Sequence, residues 1–485
     1  MQQTISLQKT LKDLREEIIG IDTKVPLLDG TMQRYIFLDN AASTPTFKSV
    51  LKCIEDFLPW YSGVHRGTGF KSLIATELYD HAHDIIGNFI KADHSSNVVI
   101  LVKNSTEAIN KLSNRLNLSR DDVIISTIME HHSNDLPWRK HCKIIHINVK
   151  DNGYLKLDEL KSAIKNYKRK LKLVAVTGAS NITGICNPIH DIAKWTHEAG
   201  AKIFVDAAQL APHRAIDILP DDDPSHIDFI AFSAHKMYAP FGTGVLIGPK
   251  DVFEKGNPDV VGGGVVTAVS LDEVHWSEPP EKEEAGSPNV VGAIALAKAI
   301  TILEEVGMDK IAEHETALLE YTYERLKRIP KVVLFGPTDN LKNKVGVITF
   351  NIEGMHNALV AAIFGTEGGI GLRNGCFCAH PYVKRLLKMS PEEDKNLTAE
   401  MVAGNKSNIP GLVRASLGCY NNEEDIDRFL EVLKMIVAGK YQGNYVLNPR
   451  TGTFTAKGYK PDFEKCFSFG ESKRERVERF RSEAS

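Results

Sequence analysis

Asp228-Phe-Ile-Ala-Phe-Ser-Ala-His-Lys-Met-Tyr-Ala-Pro-Phe-Gly-Thr-Gly244 decides how the rest of the chain is read. Its first half is an apolar run of the kind buried on both faces of a parallel sheet. The run hands Ser233, His235 and Lys236 to a glycine-rich turn. A lysine delivered there is poorly placed to be a solvated surface charge, although a structural ion pair also accounts for it. Upstream, Lys202-Ile-Phe-Val205 ends in Asp206-Ala-Ala-Gln209, which sets an acid at the tip of a second buried strand. Asp206 is then either a turn cap or a partner for a ligand.

Working outward, residues 97–250 alternate short β-branched apolar runs with helical patterns, the signature of a mostly parallel sheet with crossover helices. The expected strands are 97–102, 122–126, 143–149, 172–176, 202–205, 227–232 and 244–247. Five are followed at once by polar clusters: Lys103-Asn-Ser-Thr-Glu-Ala-Ile109, Glu130-His-His-Ser-Asn134, Ala179-Ser-Asn-Ile-Thr-Gly184, Asp206-Ala-Ala-Gln209 and Ser233-Ala-His-Lys236. Ligands of open parallel sheets bind beyond the carboxyl ends of the strands, so the five clusters are expected to meet at one site. A lysine for a Schiff base and an aspartate for a pyridinium nitrogen are the two groups that pyridoxal 5'-phosphate chemistry requires of a protein.

Each cluster also has a plainer reading. Asn104-Ser-Thr-Glu107 leads from strand into helix and is a phosphate seat or an ordinary N-cap. His131 and His132 are neighbours on extended chain and so face opposite sides, which argues against joint metal ligation and favours one imidazole stacked on a flat ring. In Gly369-Ile-Gly-Leu-Arg-Asn-Gly-Cys-Phe-Cys-Ala-His-Pro381, Arg373 stands near Cys376 and Cys378, which favours thiolate and offers a clamp for a carboxylate. The same pair reads as half a metal site, for which no second close cysteine pair exists, or as buried inert thiols. Arg414, inside the alternating run Gly411-Leu-Val-Arg-Ala-Ser-Leu-Gly418, is costly to bury unless it serves an anion.

The composition narrows the partners. With 59 basic and 62 acidic residues the formal charge is -3, which leaves no broad field for nucleic acid or an anionic membrane. No run approaches a membrane span, and the polar, helix-patterned N-terminus lacks the core of a secretion signal, so a cytoplasmic protein is expected. Seven widely spaced cysteines suit reduced thiols. From about residue 290 long helical patterns (290–306, 308–328) give way to alternating runs (331–335, 344–351), a helix from 355 and a last helix over 422–437. Residues 381–410 read as a mobile surface excursion, and the tail beyond 440 shows no period before the charged run Glu471-Ser-Lys-Arg-Glu-Arg-Val-Glu-Arg479. The expected organisation is a helical segment at 1–30 packed on a small domain, a large cofactor-binding domain at 31–289, a small domain at 290–439 carrying Cys378 and Arg414, and an extension at 440–485.

Taken together, Phe37-Leu-Asp-Asn-Ala-Ala-Ser43, Val64-His-Arg-Gly67, the Ser-Thr-Glu helix start, Glu130-His-His-Ser-Asn134, Val205-Asp-Ala-Ala-Gln209, Phe232-Ser-Ala-His-Lys236, Glu284-Ala-Gly-Ser-Pro-Asn289 and Arg414-Ala-Ser-Leu-Gly418 resemble class V aminotransferase-fold pyridoxal phosphate enzymes. Within that group the chain is most similar to cysteine desulfurases and selenocysteine lyases of the SufS type, over roughly residues 30–440. The resemblance implies an α/β chain of PLP-dependent transferase fold type I, with a seven-stranded, mostly parallel sheet in the large domain and a smaller α+β C-terminal domain. It implies that Lys236 holds the cofactor by an imine and moves a proton at the substrate Cα, that Asp206 pairs with the ring nitrogen and that His131 stacks on the ring. Gln209 and Asn181 would meet its phenolic side. Ser105, Thr106, Ser233 and His235 would hold the phosphate, joined by Ser287 of a second subunit in a homodimer with shared sites. Arg414 would bind the substrate carboxylate, with Asn40, His65 and Arg373 lining the pocket. Cys378 would take sulfur from L-cysteine, leaving alanine and a persulfide for an acceptor protein.

Three features depart from the pattern. Cys376 is an extra thiol, and Gly-Cys-Phe-Cys is similar to molybdenum-cofactor sulfurases, whose separate C-terminal domain has no counterpart here. The interval from Cys378 to Arg414 is long, and the tail is additional. They touch acceptor and substrate and leave two competing readings: another class V reaction (β-elimination, transamination or epimerisation) in which Cys378 only lines the pocket, and a sulfur-carrier or metal-binding protein whose catalysis has lapsed. Selenocysteine as a further substrate also stays open.

Overall fold

The computed structural model describes residues 10–470. Its centre is one seven-stranded sheet in the order Asn97–Val102, Gly244–Pro249, Phe229–Ser233, Lys202–Asp206, Leu171–Thr177, Val123–Thr127, Lys143–Ile147. Gly244–Pro249 alone runs antiparallel to its neighbours; the others run parallel. The α/β expectation and the seven strands are borne out, with ends displaced by one or two residues.

Both faces of the sheet are apolar because successive side chains alternate sides. Val98, Ile100, Leu173, Ala175, Phe204, Phe229 and Leu246 pack on one face against Ile109 and Leu112 of the Ser105–Arg115 helix. Val99, Val174, Val176, Ile203, Val205, Ile230 and Phe232 pack on the other against Leu160, Ile164 and Ile192 of the helices Leu157–Tyr167 and Ile189–Glu198. With helices on both sides the inner strands are almost wholly buried, only the edge strand Lys143–Ile147 staying mostly half-buried, and the chain leaves every parallel strand at the same edge. The site is assembled along that edge.

A second sheet of four antiparallel strands follows the order Val332–Phe335, Val347–Ile352, Leu412–Ser416, Arg373–Gly375. The helices Met308–Leu326, Asn357–Gly368 and Glu423–Val437 bury their apolar residues against it. Register sets Arg373 directly opposite Arg414, so two guanidinium stems start side by side. The N-terminal helix Leu11–Glu17 docks here through Arg15, whose guanidinium lies 2.9 Å from the buried Asp425 carboxylate.

Residues 381–410, expected to be a mobile surface excursion, are largely helical. They hold most of the helix His380–Leu386 and all of Pro391–Val402, whose capping box pairs Ser390 with Glu393. The polar texture is that of a helix with no buried residue, which sequence polarity cannot tell from a loop. The tail contains a hairpin, Tyr445–Asn448 with Thr453–Ala456, anchored by Tyr445 Oη 2.8 Å from Glu367 Oε1. The charged run 471–479 lies outside the described residues.

Candidate active site

The five polar clusters converge. Ser105, Thr106, His131, Asn181, Asp206, Gln209, Ser233, His235 and Lys236 line one cavity of about 400 Å³, together with Arg373, Cys378 and Arg414 from the second sheet. The large sheet supplies one wall and the small sheet the other.

Lys236 sits in a short 3-10 turn just past its strand, where burial outweighs the nearby Asp206 carboxylate and pulls its amine down to about 8. Asp206 is pushed the other way by burial; its Oδ1 accepts only from the Ala208 backbone N–H, at 3.0 Å. A buried carboxylate with so few donors calls for a cationic partner. Gln209 is also buried, its Nε2 3.4 Å from His213 Nε2, while its Oε1 has no hydrogen-bond partner. Below them the Ser105–Arg115 helix starts at the cavity: Asn104 caps it by accepting from Glu107 N at 3.0 Å, and Ser105 N donates to Ser233 Oγ at 2.8 Å. Both readings of this motif therefore hold at once, a conventional cap and a helix N-terminus presented to the cavity. Gly244 is needed there, because a Cβ would lie 2.3 Å from the Asn104 Cα.

The two histidines separate, though His131 alone is extended and His132 opens the 3-10 turn His132–Asn134. His131 faces the cavity, where burial and the Lys236 charge hold its ring far below the usual range, at about 3. His132 turns away and stacks on His380 with ring centroids 4.8 Å apart. That stack, with His132 N donating to Cys378 O at 2.7 Å and Asn181 Nδ2 donating to Phe377 O at 2.9 Å, pins the cysteine loop. Phe377 and Cys378 both adopt left-handed backbone, with φ of 49° and 56°. Such backbone is uncommon away from glycine and here turns the loop toward the cavity. Cys378 is exposed, whereas Cys376 is buried and donates to Pro410 O at 2.9 Å.

Cys376, Asn40, His65 and Ser287 stand apart from the cavity lining. Burial pushes the Cys376 thiol up to about 11, so of the two cysteines only Cys378 is placed to be an accessible nucleophile. Asn40 does not line the cavity: it is buried, donates to Ser416 O at 3.0 Å and accepts from Tyr420 Oη at 2.9 Å, clamping the Asn40 turn to the small sheet. His65 and Ser287 are not brought to Lys236 within one chain. They line a separate cavity of about 340 Å³ with Arg66 and Glu284, and His65 Nε2 lies 3.0 Å from Asp80.

Asp39 was not singled out from sequence, yet it organises the anion end. Its carboxylate bridges Arg414 Nη2 and Arg373 Nε, each at 2.9 Å. Arg414 also donates Nη1 to Asn181 O at 3.0 Å, and its Nε has no partner. Burial lowers this guanidinium to about 10 against the opposing effect of Asp39, which leaves it charged at neutral pH. The available signal was an acid two residues into a motif beside two unmatched arginines.

With this geometry in hand, the comparisons are informative. The family model for class-V aminotransferases matches residues 36–429. A probable cysteine desulfurase of Halalkalibacterium halodurans is 35% identical over 420 residues, covering 84% of this chain and 95% of that protein. The cysteine desulfurase of Haloferax volcanii is 31% identical over 428 residues, covering 86% and 93%. The solved apo structure of a cysteine desulfurase from Thermococcus onnurineus superposes with a TM-score of 0.75 at 33% identity, covering 89% of this chain and 99% of that one.

Proposed function

From the fact that this chain belongs to the class-V aminotransferase family, we propose that it is a cysteine desulfurase that moves sulfur from L-cysteine to Cys378 and releases alanine. The observation that carries this reading is that Lys236 of one sheet and Cys378 and Arg414 of the other face a single cavity. Neither sheet alone holds both the electron-handling end and the sulfur-accepting end.

The family to which the chain belongs is pyridoxal phosphate-dependent, and the residues present suit that cofactor. Among the described residues Asp206 forms no ion pair and Gln209 Oε1 accepts no hydrogen bond, and a helix N-terminus faces the cavity. In our reading Asp206 takes the ring nitrogen, His131 the ring face, Asn181 and Gln209 the phenolic edge, and Ser105, Thr106, Ser233 and His235 the phosphate. Bound there, the cofactor would supply an electron sink for carbanion chemistry. Lys236 suits the amine of the covalent linkage and the base at the substrate Cα, since near pH 8 it is partly uncharged. His131 stays neutral, so it can lie over a cationic ring without repelling it.

Arg414 and Arg373 gather the substrate carboxylate, in place of or beside Asp39. The Cys378 thiolate then attacks the substrate sulfur: an S–S bond forms, the C–S bond breaks and its electron pair stays with the substrate carbon. That carbon takes a proton and leaves as alanine. His65 and Ser287 fit as contributions from a second copy, since they share a cavity bordered by exposed Tyr61. We place the domain boundaries near 31, 290 and 440; most of the small sheet's apolar residues form a core of their own, while Val347 and Leu412 join the core of the large sheet. Among the described residues no helix is long and apolar enough to cross a membrane.

The test is product analysis with L-cysteine under reducing conditions. Alanine and sulfide are expected in equal amounts, with a mass gain of one sulfur atom on the Cys378 peptide. Cys378→Ser is expected to lose at least about a hundredfold in sulfide release while keeping the visible absorbance of the bound cofactor. Undiminished sulfide release in that variant would return the chain to simple elimination.

A further inference from the structure

At the opposite edge of the large sheet from Lys236, three side chains with no part in the reaction converge. His197 ends the helix Ile189–Glu198, His226 precedes a strand and Asp228 stands just before Phe229–Ser233. One ligand atom from each lies within 4.8 Å of the others. Asp228 is almost fully buried; the two imidazoles are 17% exposed.

The imidazole geometry is specific. His197 Nδ1 lies 2.8 Å from Pro224 O, and His226 Nδ1 lies 2.6 Å from Asp223 O. A carbonyl oxygen only accepts, so both rings carry a hydrogen on Nδ1 and a neutral ring keeps its lone pair on Nε2. Both Nε2 atoms turn to the same carboxylate, His197 at 2.8 Å from Oδ2 and His226 at 3.7 Å from Oδ1. Lone pairs thus face carboxylate oxygens unless a cation stands between them. The two rings stack with centroids 4.2 Å apart, which holds both Nε2 atoms on the same side.

We propose that His197 Nε2, His226 Nε2 and Asp228 form a binding site for a divalent transition ion of the zinc class, with a fourth position open to water. Two histidines and a carboxylate are a known ligand set for zinc, and histidine ligands characteristically donate their second nitrogen to a carbonyl or carboxylate, as both do here. Tetrahedral bonds of ~2.0–2.2 Å set ligand atoms roughly 3.4 Å apart, so His197 Nε2 and Asp228 Oδ2, now at 2.8 Å, must open slightly while the more distant atoms close in, His226 lying outside helix and strand. Asp228 Oδ2 is held in place by the Ile203 N–H at 2.9 Å. The competing cation is Lys202, whose Nζ lies 2.7 Å from Oδ1; its side chain is 44% exposed and free to swing into water. The acidic run Asp221-Asp222-Asp223 adds local negative charge.

The site joins the end of a helix to the start of a neighbouring strand, about five residues or ~17 Å of strand away from the cofactor cavity. The ion is therefore a tether and stays outside the chemistry. Like any ligand of the folded state alone, it raises the unfolding midpoint.

Chelator-treated holoenzyme, full length and with thiols reduced, is titrated with zinc chloride by calorimetry, and the loaded protein is examined by zinc X-ray absorption. One ion per chain with only nitrogen and oxygen neighbours is expected, together with a raised unfolding midpoint. His226→Gln is expected to weaken binding at least about tenfold. Asp228 is buried, so His226, partly exposed and on a loop, is the safer position to alter. Lys202→Met removes the rival ammonium and is expected to bind at least as tightly as the unaltered chain. No binding at micromolar zinc, sulfur in the first shell, unchanged affinity in His226→Gln, or a comparable loss in Lys202→Met each overturns the proposal. Desulfurase activity decides none of these outcomes, so the two readings fail separately.

Discussion

Lys236 and Glu130 show how burial tunes single groups around the cavity. The Lys236 amine, drawn down to about 8, is mostly protonated below that pH and cannot attack an aldehyde. Uptake of pyridoxal phosphate by apoenzyme, followed by stopped-flow absorbance, is therefore expected to rise about tenfold per pH unit up to about pH 8 and then level off. Glu130 lies fully buried behind His131, accepting from Thr127 Oγ1 at 2.6 Å and Asn134 Nδ2 at 2.7 Å, and desolvation raises it to about 8. An ordinary glutamate ionises near 4.5, so between these values the folded chain holds a proton that the unfolded chain has released. Stability from this group is whole below about pH 4.5 and lost as pH rises through about 8. Glu130→Gln, which keeps the shape without the charge, is expected to flatten that decline by on the order of a few kcal/mol in urea titrations across the range.

At the scale of elements, one dense anchor holds the N-terminal segments to the small domain. Asp425, at the start of the Glu423–Val437 helix, takes Arg15 at 2.9 Å, Arg34 at 3.0 Å and Asn421 at 3.0 Å. It ties the N-terminal helix and the strand Met32–Arg34 to the small domain. Removing a buried carboxylate that serves two cations strands both, so Asp425→Ala is expected to cost about 3–5 kcal/mol in denaturant unfolding. Hydrogen exchange over residues 11–17 is expected to quicken first. At this scale the strands of the large sheet were legible, because each is a short apolar run and five of the seven end in a polar cluster. The Pro391–Val402 helix was not, because a helix that buries nothing carries no apolar stripe for a periodic reading to find.

For the molecule as a whole, one chain holds Lys236 and Cys378 in one cavity and His65 and Ser287 in another. If a second copy brings the latter pair to the former, Lys236→Ala and a catalytically deficient His65→Ala should complement each other. Refolding the two inactive variants as an equal mixture is expected to restore about a quarter of the full activity, since half the dimers are mixed and each carries one intact site. No recovery in mixtures whose subunits have demonstrably exchanged would place His65 outside the reaction. The identities of the groups that line the cavity were written in the chain itself: an apolar strand ending in Asp206, another ending in Ser233, His235 and Lys236, and a helix starting at Ser105 all feed one sheet edge by the rule that parallel strands share their exits. Tertiary structure alone decided that Asp39 bridges Arg373 and Arg414, that Asn40 is a clamp, and that Cys376 is buried while Cys378 is open. Those outcomes depend on register between strands and on desolvation by distant segments, and neither is a property of local sequence.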